Sequence, residues 1–175
     1  TGAELDAMTF PPLAWAVPGL IPEGFGLLTG PPKAGKSWLT LDIALGVAAG
    51  GRVLGKIPTG TARPVLLLAL EDGERRMQDR ARTLLGPGEP IPANLHYLTE
   101  ATPAEVLDAI DRWLELHGHA QPLVILDTLG KVLPPALQGE GSYQRDYRVG
   151  GRLKQIVGTY PGATLLVVHH TRKAG

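Results

Sequence analysis

The chain has 175 residues, of which 43% are hydrophobic, and its 17 basic and 17 acidic residues balance to zero net charge. This length predicts one domain with a sizeable core. The charge balance gives no general attraction to nucleic acid or membranes, although a local basic loop could still bind DNA. Cysteine is absent, which excludes disulfides and thiolate metal sites. Without a signal-peptide pattern or a run of about 18 apolar residues, we expect a cytoplasmic protein with no membrane partner.

The first 22 residues are rich in proline and carry scattered apolar side chains. These side chains are Phe10, Trp15, Val17, Leu20 and Ile21. We predict an irregular N-terminal arm over 1–22 that packs them on the core, which occupies 23–175. The alternative is that the arm contacts another subunit, because exposed aromatic arms often find partners.

The stretch Gly30–Ser37 fits the G-x-x-x-x-G-K-S pattern of a phosphate-binding loop. It lies between a predicted strand at 24–29 and a predicted apolar helix at 38–49, the context that this motif requires. Glycines let backbone amides turn toward phosphate oxygens, and a helix N-terminus adds a positive dipole end. Lys36 is therefore predicted to bind the β- and γ-phosphates of ATP, and Ser37 to ligate Mg²⁺. The predicted nucleotide-binding residues are Gly30, Pro31, Pro32, Lys33, Ala34, Gly35, Lys36, Ser37 and Trp38.

After this loop, apolar runs alternate with helical patterns. Further strands are predicted at 64–70, 94–98, 122–128 and 163–168, and the segment 50–63 between them is a loop or a small hairpin. Three further helices are predicted. The first covers 73–85, the second runs from a proline-containing capping box at 102–105 to His117–His119, and the third covers 143–160 with Tyr147 on its apolar side. Continuous apolar strands are typical of parallel sheets buried on both faces. The pattern predicts a three-layer α/β fold with a mainly parallel sheet.

Polar side chains follow the apolar strands at the point where each strand ends. Glu71 follows the second strand, Asp127 ends the fourth, and His169 and His170 follow the fifth. Because the carboxyl ends of parallel strands lie along one edge, these groups should meet the phosphate-binding loop. Asp127 is predicted to hold Mg²⁺, Glu71 to activate the attacking water, and His170 or His169 to contact the γ-phosphate. The alternative is that these strands end in polar residues because they reach solvent.

Five segments in this order resemble RecA-fold P-loop ATPases of the plasmid RepA type, a group that includes hexameric replicative helicases. The segments are WAVPGLIPEG at 15–24, GPPKAGKS at 30–37, LED at 70–72, LDT at 126–128 and HHTRK at 169–173. The resemblance covers nearly the whole chain. The P-loop alone occurs in many families, whereas the order of all these motifs is much more specific.

The resemblance implies a catalytic role for Glu71, a Walker-B role for Asp127 and a sensor role for His170. It also implies strand order 3-2-4-5-1, ATP bound between subunits of a ring, a neighbour's arginine finger, and inner loops that grip single-stranded DNA. Relatives continue with further strands, so we expect a truncated chain or a small member, with the first strand at an uncovered sheet edge.

Three cations outside the phosphate-binding loop have open roles. Arg172 and Lys173 are candidates to act in a neighbouring subunit, with a solvated tail as the alternative. Arg80 is expected to be a surface residue of its helix, with stacking on adenine as the alternative.

The predicted function is an ATPase motor that acts on DNA. One alternative is a nucleotide-switched recombination or loading regulator that hydrolyses ATP slowly. The other is a P-loop kinase for a small acceptor, against which the Glu71-Asp72 pair argues. No base-reading element is evident, so DNA binding is expected to be non-specific and weakened by salt.

Overall fold

The computed structural model describes residues 1–171. In this part of the chain the longest helix has 17 residues, and none is long and apolar enough to cross a membrane. The elements, in chain order, are α1 (Gly2–Asp6), β1 (Trp15–Val17), β2 (Ile21–Pro22), β3 (Gly24–Gly30), α2 (Lys36–Ala49), β4 (Arg52–Val53), β5 (Ile57–Pro58), β6 (Val65–Ala69), α3 (Glu74–Leu85), β7 (Leu95–Leu98), α4 (Pro103–His117), β8 (Leu123–Asp127), α5 (Ser142–Gly158) and β9 (Thr164–His170).

Five strands form one parallel sheet in the order β3-β9-β8-β6-β7. When the five strands β3, β6, β7, β8 and β9 are numbered 1 to 5 along the chain, this is the predicted order 3-2-4-5-1 starting from the other edge of the sheet. The predicted fold class is therefore confirmed. Among the described residues β3 and β7 form the two edges, as predicted for the first strand. Every residue of β6 and β8 is buried, because helices cover both faces of these central strands.

The two faces of the sheet pack against different helices. Alternate strand residues such as Leu67 and Ile125 join α2 and Ala81 of α3 in one core cluster. Their sequence neighbours Leu68 and Leu126 join α4 and α5 in the other. This alternation follows from the two-residue period of a strand. It gives the three layers that the sequence predicts.

The N-terminal arm is not irregular as predicted, because it contains α1 and the antiparallel pair β1–β2, and it packs only in its second half. Ala16, Val17 and Ile21 are buried, whereas Phe10 is 68% exposed and Leu20 is also exposed. The packing prediction is therefore wrong for Phe10 and Leu20, and also for Trp15, which is 37% exposed. Hydrogen bonds hold the second half of the arm, because the Arg63 guanidinium donates to the carbonyls of residues 15 and 16. Burial lowers the pKa of Arg63. The segment 1–13 buries no side chain.

Two local predictions are confirmed with small shifts. The segment after α2 forms the antiparallel hairpin β4–β5, and Thr102 and Glu105 form a capping box with Pro103 at the helix start. Strand β9, in contrast, continues two residues beyond its predicted end, because His169 and His170 pair with Thr29 and Gly30 of β3. Tyr147 is exposed, so its predicted place on the apolar side of α5 is wrong.

We expect Gly50→Ala to destabilise the fold far more than Gly55→Ala. Both glycines have φ of +65°, a conformation that costs other residues about 1–2 kcal/mol. A Cβ at Gly50, the C-cap of α2, would lie 2.5 Å from the nitrogen of Ala62 and 2.8 Å from the oxygen of Gly60. A Cβ at Gly55 would meet no atom of the described residues within 4 Å. Urea denaturation should therefore show a loss of about 1 kcal/mol for Gly55→Ala and at least about 3 kcal/mol for Gly50→Ala. Equal losses would contradict this packing.

Candidate nucleotide-binding and active site

The parallel sheet brings the carboxyl ends of four strands to one edge. β3 ends at Gly30, β8 at Asp127 and β9 at His170, while Glu71 follows β6. Backbone hydrogen bonds extend the pairing past these ends, because the Leu70 N–H donates to the Asp127 carbonyl and the Thr171 N–H donates to the Gly30 carbonyl. The structure therefore brings together the strand-end side chains that the sequence predicts to converge.

The phosphate-binding loop curls between β3 and α2 and encloses its own lysine. Lys33 and Gly35 have φ of +64° and +81°, and the helix begins at Lys36, two residues before its predicted start. Lys36 is buried, and its Nζ donates to the carbonyl oxygens of Gly30 at 2.9 Å and Pro31 at 2.7 Å. The ammonium is thus held inside the loop, at the N-terminus of a helix whose dipole favours anions.

Asp127 is the buried carboxylate of the site. It is only 5% exposed, and its Oδ1 has no hydrogen-bond partner among the described residues. Burial raises its pKa, a hydrogen bond with Ser37 opposes that rise, and the nearby carboxylates of Glu71 and Asp72 add to it. The position therefore combines a carboxylate oxygen that has no hydrogen-bond partner within residues 1–171 with a neighbouring serine hydroxyl.

This donor set fits Mg²⁺, which takes one or two protein oxygens and completes its shell with water and substrate phosphates. Residues 1–171 contain no group of three or more histidine, cysteine or carboxylate side chains able to hold a metal by themselves. Ser37 and Asp127 are the side chains that would hold the ion.

We expect Asp127→Asn to stabilise the protein in the absence of nucleotide. The substitution removes a buried charge whose Oδ1 has no hydrogen-bond partner in the described chain, which should raise the free energy of unfolding by about 1 kcal/mol and the Tm by about 2–4 °C. Because Asp127 is the predicted Mg²⁺ ligand, we expect the unaltered protein but not this variant to gain Tm when Mg²⁺ and nucleotide are added. Asp108→Asn, on the exposed side of α4, is the matched control and should change neither value. A Tm unchanged or lowered by Asp127→Asn would contradict the prediction.

The sign of the pH dependence follows from the raised pKa of Asp127. The folded protein holds this proton more tightly than the unfolded chain, so the side chain opposes folding increasingly as the pH rises from the unfolded to the folded pKa. Below both values the cost disappears. The stability gain of Asp127→Asn should therefore be present at neutral pH and vanish in acid, which thermal melts across pH will measure.

Glu71 and His170 lie side by side at the open part of the site. The Nε2 of His170 is 3.7 Å from the Oε2 of Glu71, and both side chains are about one-third to two-fifths exposed. His170 Nδ1 is buried without a partner in the described residues. The adjacent His169 contacts Asp146 of α5 instead, with 3.7 Å between its Nε2 and Oδ2. Because the two histidines belong to β9, they alternate in direction, and only His170 contacts Glu71.

Asp72 is a site residue for which the sequence analysis predicts no role. It lines one cleft with Ser37, Asp127 and Arg80, and its carboxylate accepts hydrogen bonds from Arg76 at 3.2 Å and from Arg80. The signal was available in the sequence, because residues 72, 76 and 80 are spaced by four and share one side of the α3 start.

Arg80 makes contacts that a surface arginine was not expected to make. Besides its contact with Asp72, its guanidinium lies 5.4 Å from the ring centroid of Trp38, on the first turn of α2. The side chain therefore links the start of α3 to the helix that follows the phosphate-binding loop. The expectation of a plain surface arginine is incomplete.

A lysine-containing loop between β3 and α2, and a buried aspartate at the end of β8, define a P-loop ATPase site on a RecA-like sheet. The chain belongs to the AAA_25 family of AAA domains, whose model matches residues 2–175. This confirms the RecA-fold P-loop ATPase part of the resemblance. The RepA type remains a prediction.

Two solved structures show the same fold at low sequence identity. One is a DnaB-like replicative helicase described with its interactions with primase, at a TM-score of 0.62 and 14% identity over 86% of this chain. The other is an ATPase domain, at a TM-score of 0.60 and 12% identity over 86% of this chain. The present chain spans 39% of the first structure's length and 58% of the second's. At these identities the similarity establishes the fold alone.

Proposed function

We propose that this protein binds and hydrolyses ATP and uses the energy to move on or remodel single-stranded DNA, as a motor of the RepA-like helicase type. The observation that carries the proposal is the convergence of Lys36, Ser37, Asp127, Glu71 and His170 at one edge of the sheet. Phosphoryl transfer to water needs mainly positioning and charge stabilisation, and these side chains can supply both.

The loop and its lysine would hold the triphosphate. Lys36 now donates to two loop carbonyls, and phosphate oxygens are stronger acceptors that would replace at least one of them. The first-turn amides of α2 would donate to the same group. Ser37 and Asp127 would hold Mg²⁺, which when bound supplies positive charge that stabilises the transferring phosphoryl group.

Glu71 would position the attacking water and accept its proton. As the water oxygen bonds to the γ-phosphorus, the bond to the β–γ bridging oxygen breaks, and the electron pair leaves with ADP. Glu71 follows β6, which is hydrogen-bonded to the strand that carries Asp127, so both carboxylates have rigid supports. Its partial exposure keeps a path for water.

His170 would report the presence of the γ-phosphate. A neutral imidazole can donate one hydrogen bond to a phosphate oxygen, and its Nε2 already lies 3.7 Å from the Glu71 carboxylate. Strand β9 pairs with β3 along its whole length, so His170 is also joined to the start of the phosphate-binding loop. A change at His170 would therefore reach both the nucleotide and Glu71.

The resemblance to RepA-type ATPases supports a homo-oligomer, with a hexameric ring as its expected form and ATP between subunits. A neighbouring subunit would then supply the arginine finger. The candidates Arg172 and Lys173 lie outside the described residues.

The test is phosphate release from ATP and Mg²⁺, with and without single-stranded DNA, together with the mass in solution under the same conditions. A motor should release phosphate faster with DNA and assemble when ATP and Mg²⁺ are added. Slow release that DNA does not stimulate would support the nucleotide-switched regulator instead. Transfer of the phosphate to a small acceptor would support a kinase, and no phosphate release under any condition would overturn the proposal.

A further inference from the structure

We propose that Tyr143 and Tyr147, on the exposed face of α5, form a stacking platform for the bases of single-stranded DNA. The inference rests on the proposed function, because it names how the DNA would be held. The two residues are called the tyrosine pair below.

The tyrosine pair is the most exposed aromatic surface of the described chain. Tyr143 is 79% exposed and Tyr147 is 74% exposed, although Val149, Leu153 and Val157 of the same helix are buried in the core. Tyrosines four residues apart project from one side of a helix. Their ring centroids are 6.5 Å apart, with planes inclined by only 25°. Two nearly parallel rings open to solvent are a suitable surface for flat bases.

The charge around the tyrosine pair favours a nucleic-acid strand over a protein surface. Helix α5 carries four cations, Arg145, Arg148, Arg152 and Lys154, and a single carboxylate, Asp146. Arg152 and Lys154 are exposed, while Arg148 is paired with Glu140. The whole chain has no net charge, so this is a local concentration of positive charge. Lys154 lies seven residues after Tyr147, on the same side of the helix, and Arg145 lines one cleft with Tyr143. Aromatic rings with cations near them are the combination that binds single strands without sequence preference.

The position of the tyrosine pair connects it to the nucleotide site. Tyr143 lines one cleft with His169, His170 and Asp146. Asp146, which lies between the two tyrosines in sequence, contacts His169 at 3.7 Å. A shift of the β9 end on γ-phosphate loss would therefore reach the first turns of α5. The tyrosine pair therefore lies where ATP hydrolysis can change its affinity for the DNA strand.

The experiment measures binding of a fluorescent oligothymidylate of about 20 nucleotides by anisotropy, at salt concentrations from about 50 to 300 mM. Tyr143→Ala and Tyr147→Ala should each weaken binding about 5- to 100-fold, since stacking on one aromatic ring contributes that much per base. Tyr147→Trp should keep the affinity near that of the unaltered protein. Tyr97→Ala, at a half-exposed tyrosine on the far strand β7, is the control and should bind normally.

An abasic oligonucleotide of equal length separates stacking from charge. The unaltered protein should bind it more weakly than the oligothymidylate, whereas the double variant Tyr143→Ala/Tyr147→Ala should bind both equally. The slope of affinity against salt should not change in the double variant, because the phosphate contacts remain. Melting curves of all variants will show that the exposed substitutions leave the fold intact.

Three outcomes would overturn the proposal. The unaltered protein could fail to bind either oligonucleotide, the tyrosine variants could bind as tightly as the unaltered protein, or the variants could lose self-association while keeping DNA affinity. The last result would assign the tyrosine pair to a contact between copies. ATP hydrolysis measured without DNA is a separate readout. If hydrolysis fails while tyrosine-dependent binding remains, the proposed ATPase function falls and the platform stands.

Discussion

Replacing Lys36 with alanine is expected to abolish measurable ATP turnover, with kcat/KM reduced at least about 100-fold. The amine is the buried cation of the loop, and it already lies within hydrogen-bond distance of two carbonyls at the loop mouth. Its removal takes away the charge-assisted contacts to the β- and γ-phosphates and leaves those carbonyls without their donor. The measurements are nucleotide affinity by a fluorescent ATP analogue and phosphate release at saturating ATP.

Lys56→Ala is the matched control for this loss. Lys56 is an exposed lysine in the β4–β5 hairpin, so the two variants lose the same charge from the chain. We expect unchanged kinetics for Lys56→Ala. A Lys36→Ala protein that keeps its Tm and hydrolyses ATP within about tenfold of normal would show that the loop does not bind the phosphates.

Replacing Glu71 with glutamine is expected to lower kcat about 10²- to 10⁴-fold while nucleotide affinity stays nearly constant. The amide keeps the size of the side chain and its place after β6, but it cannot accept a proton from water. Because Glu71 contacts His170 rather than the loop, ATP should still bind with Lys36, Ser37 and Asp127 intact. Single-turnover phosphate release and equilibrium nucleotide binding will separate the two effects.

Glu74→Gln controls for the charge change in the Glu71 experiment. Glu74 lies three residues further along, at the start of α3, where its carboxylate accepts a hydrogen bond from the Tyr97 hydroxyl at 3.1 Å. The Glu74→Gln protein should hydrolyse ATP at the normal rate. Ordinary turnover by Glu71→Gln would remove this residue from the mechanism and would make Asp72 the next carboxylate to test, because it lines the same cleft as Asp127.

The strand-end residues show which features the local sequence pattern predicts and which it does not. A continuous apolar run that stops at Asp127 predicts a buried parallel strand with a carboxylate at its end, and both features are present. The run before His169 predicts a strand too, but not its length. Whether a strand continues depends on a partner, and β3 supplies hydrogen bonds as far as Gly30. That pairing, not the side chains, places His169 toward α5 and His170 toward Glu71.

The exposed aromatic residues show where the pattern misleads. Tyr147 lies in a predicted amphipathic helix and Phe10 lies in an apolar arm, so the sequence analysis placed both on the core. The structure exposes both. Burial is a competition for limited space, and the core face of α5 is already filled by residues such as Val149, Leu153 and Val157. The sequence pattern of one helix or arm therefore does not predict which of its apolar side chains are buried.

By itself the sequence determined the strands of the central sheet and the helices between them, the phosphate-binding loop and the polar residues after the strands, because these depend on neighbours a few positions apart. The tertiary structure alone decided that Asp127 keeps a buried oxygen without a hydrogen-bond partner in the described chain, that Asp72 is held by Arg76 and Arg80, and that His170 contacts Glu71. Those facts depend on which strands pair and how helices fill the space between them. Contacts between residues far apart in the chain are made by packing, and packing is a property of the whole fold.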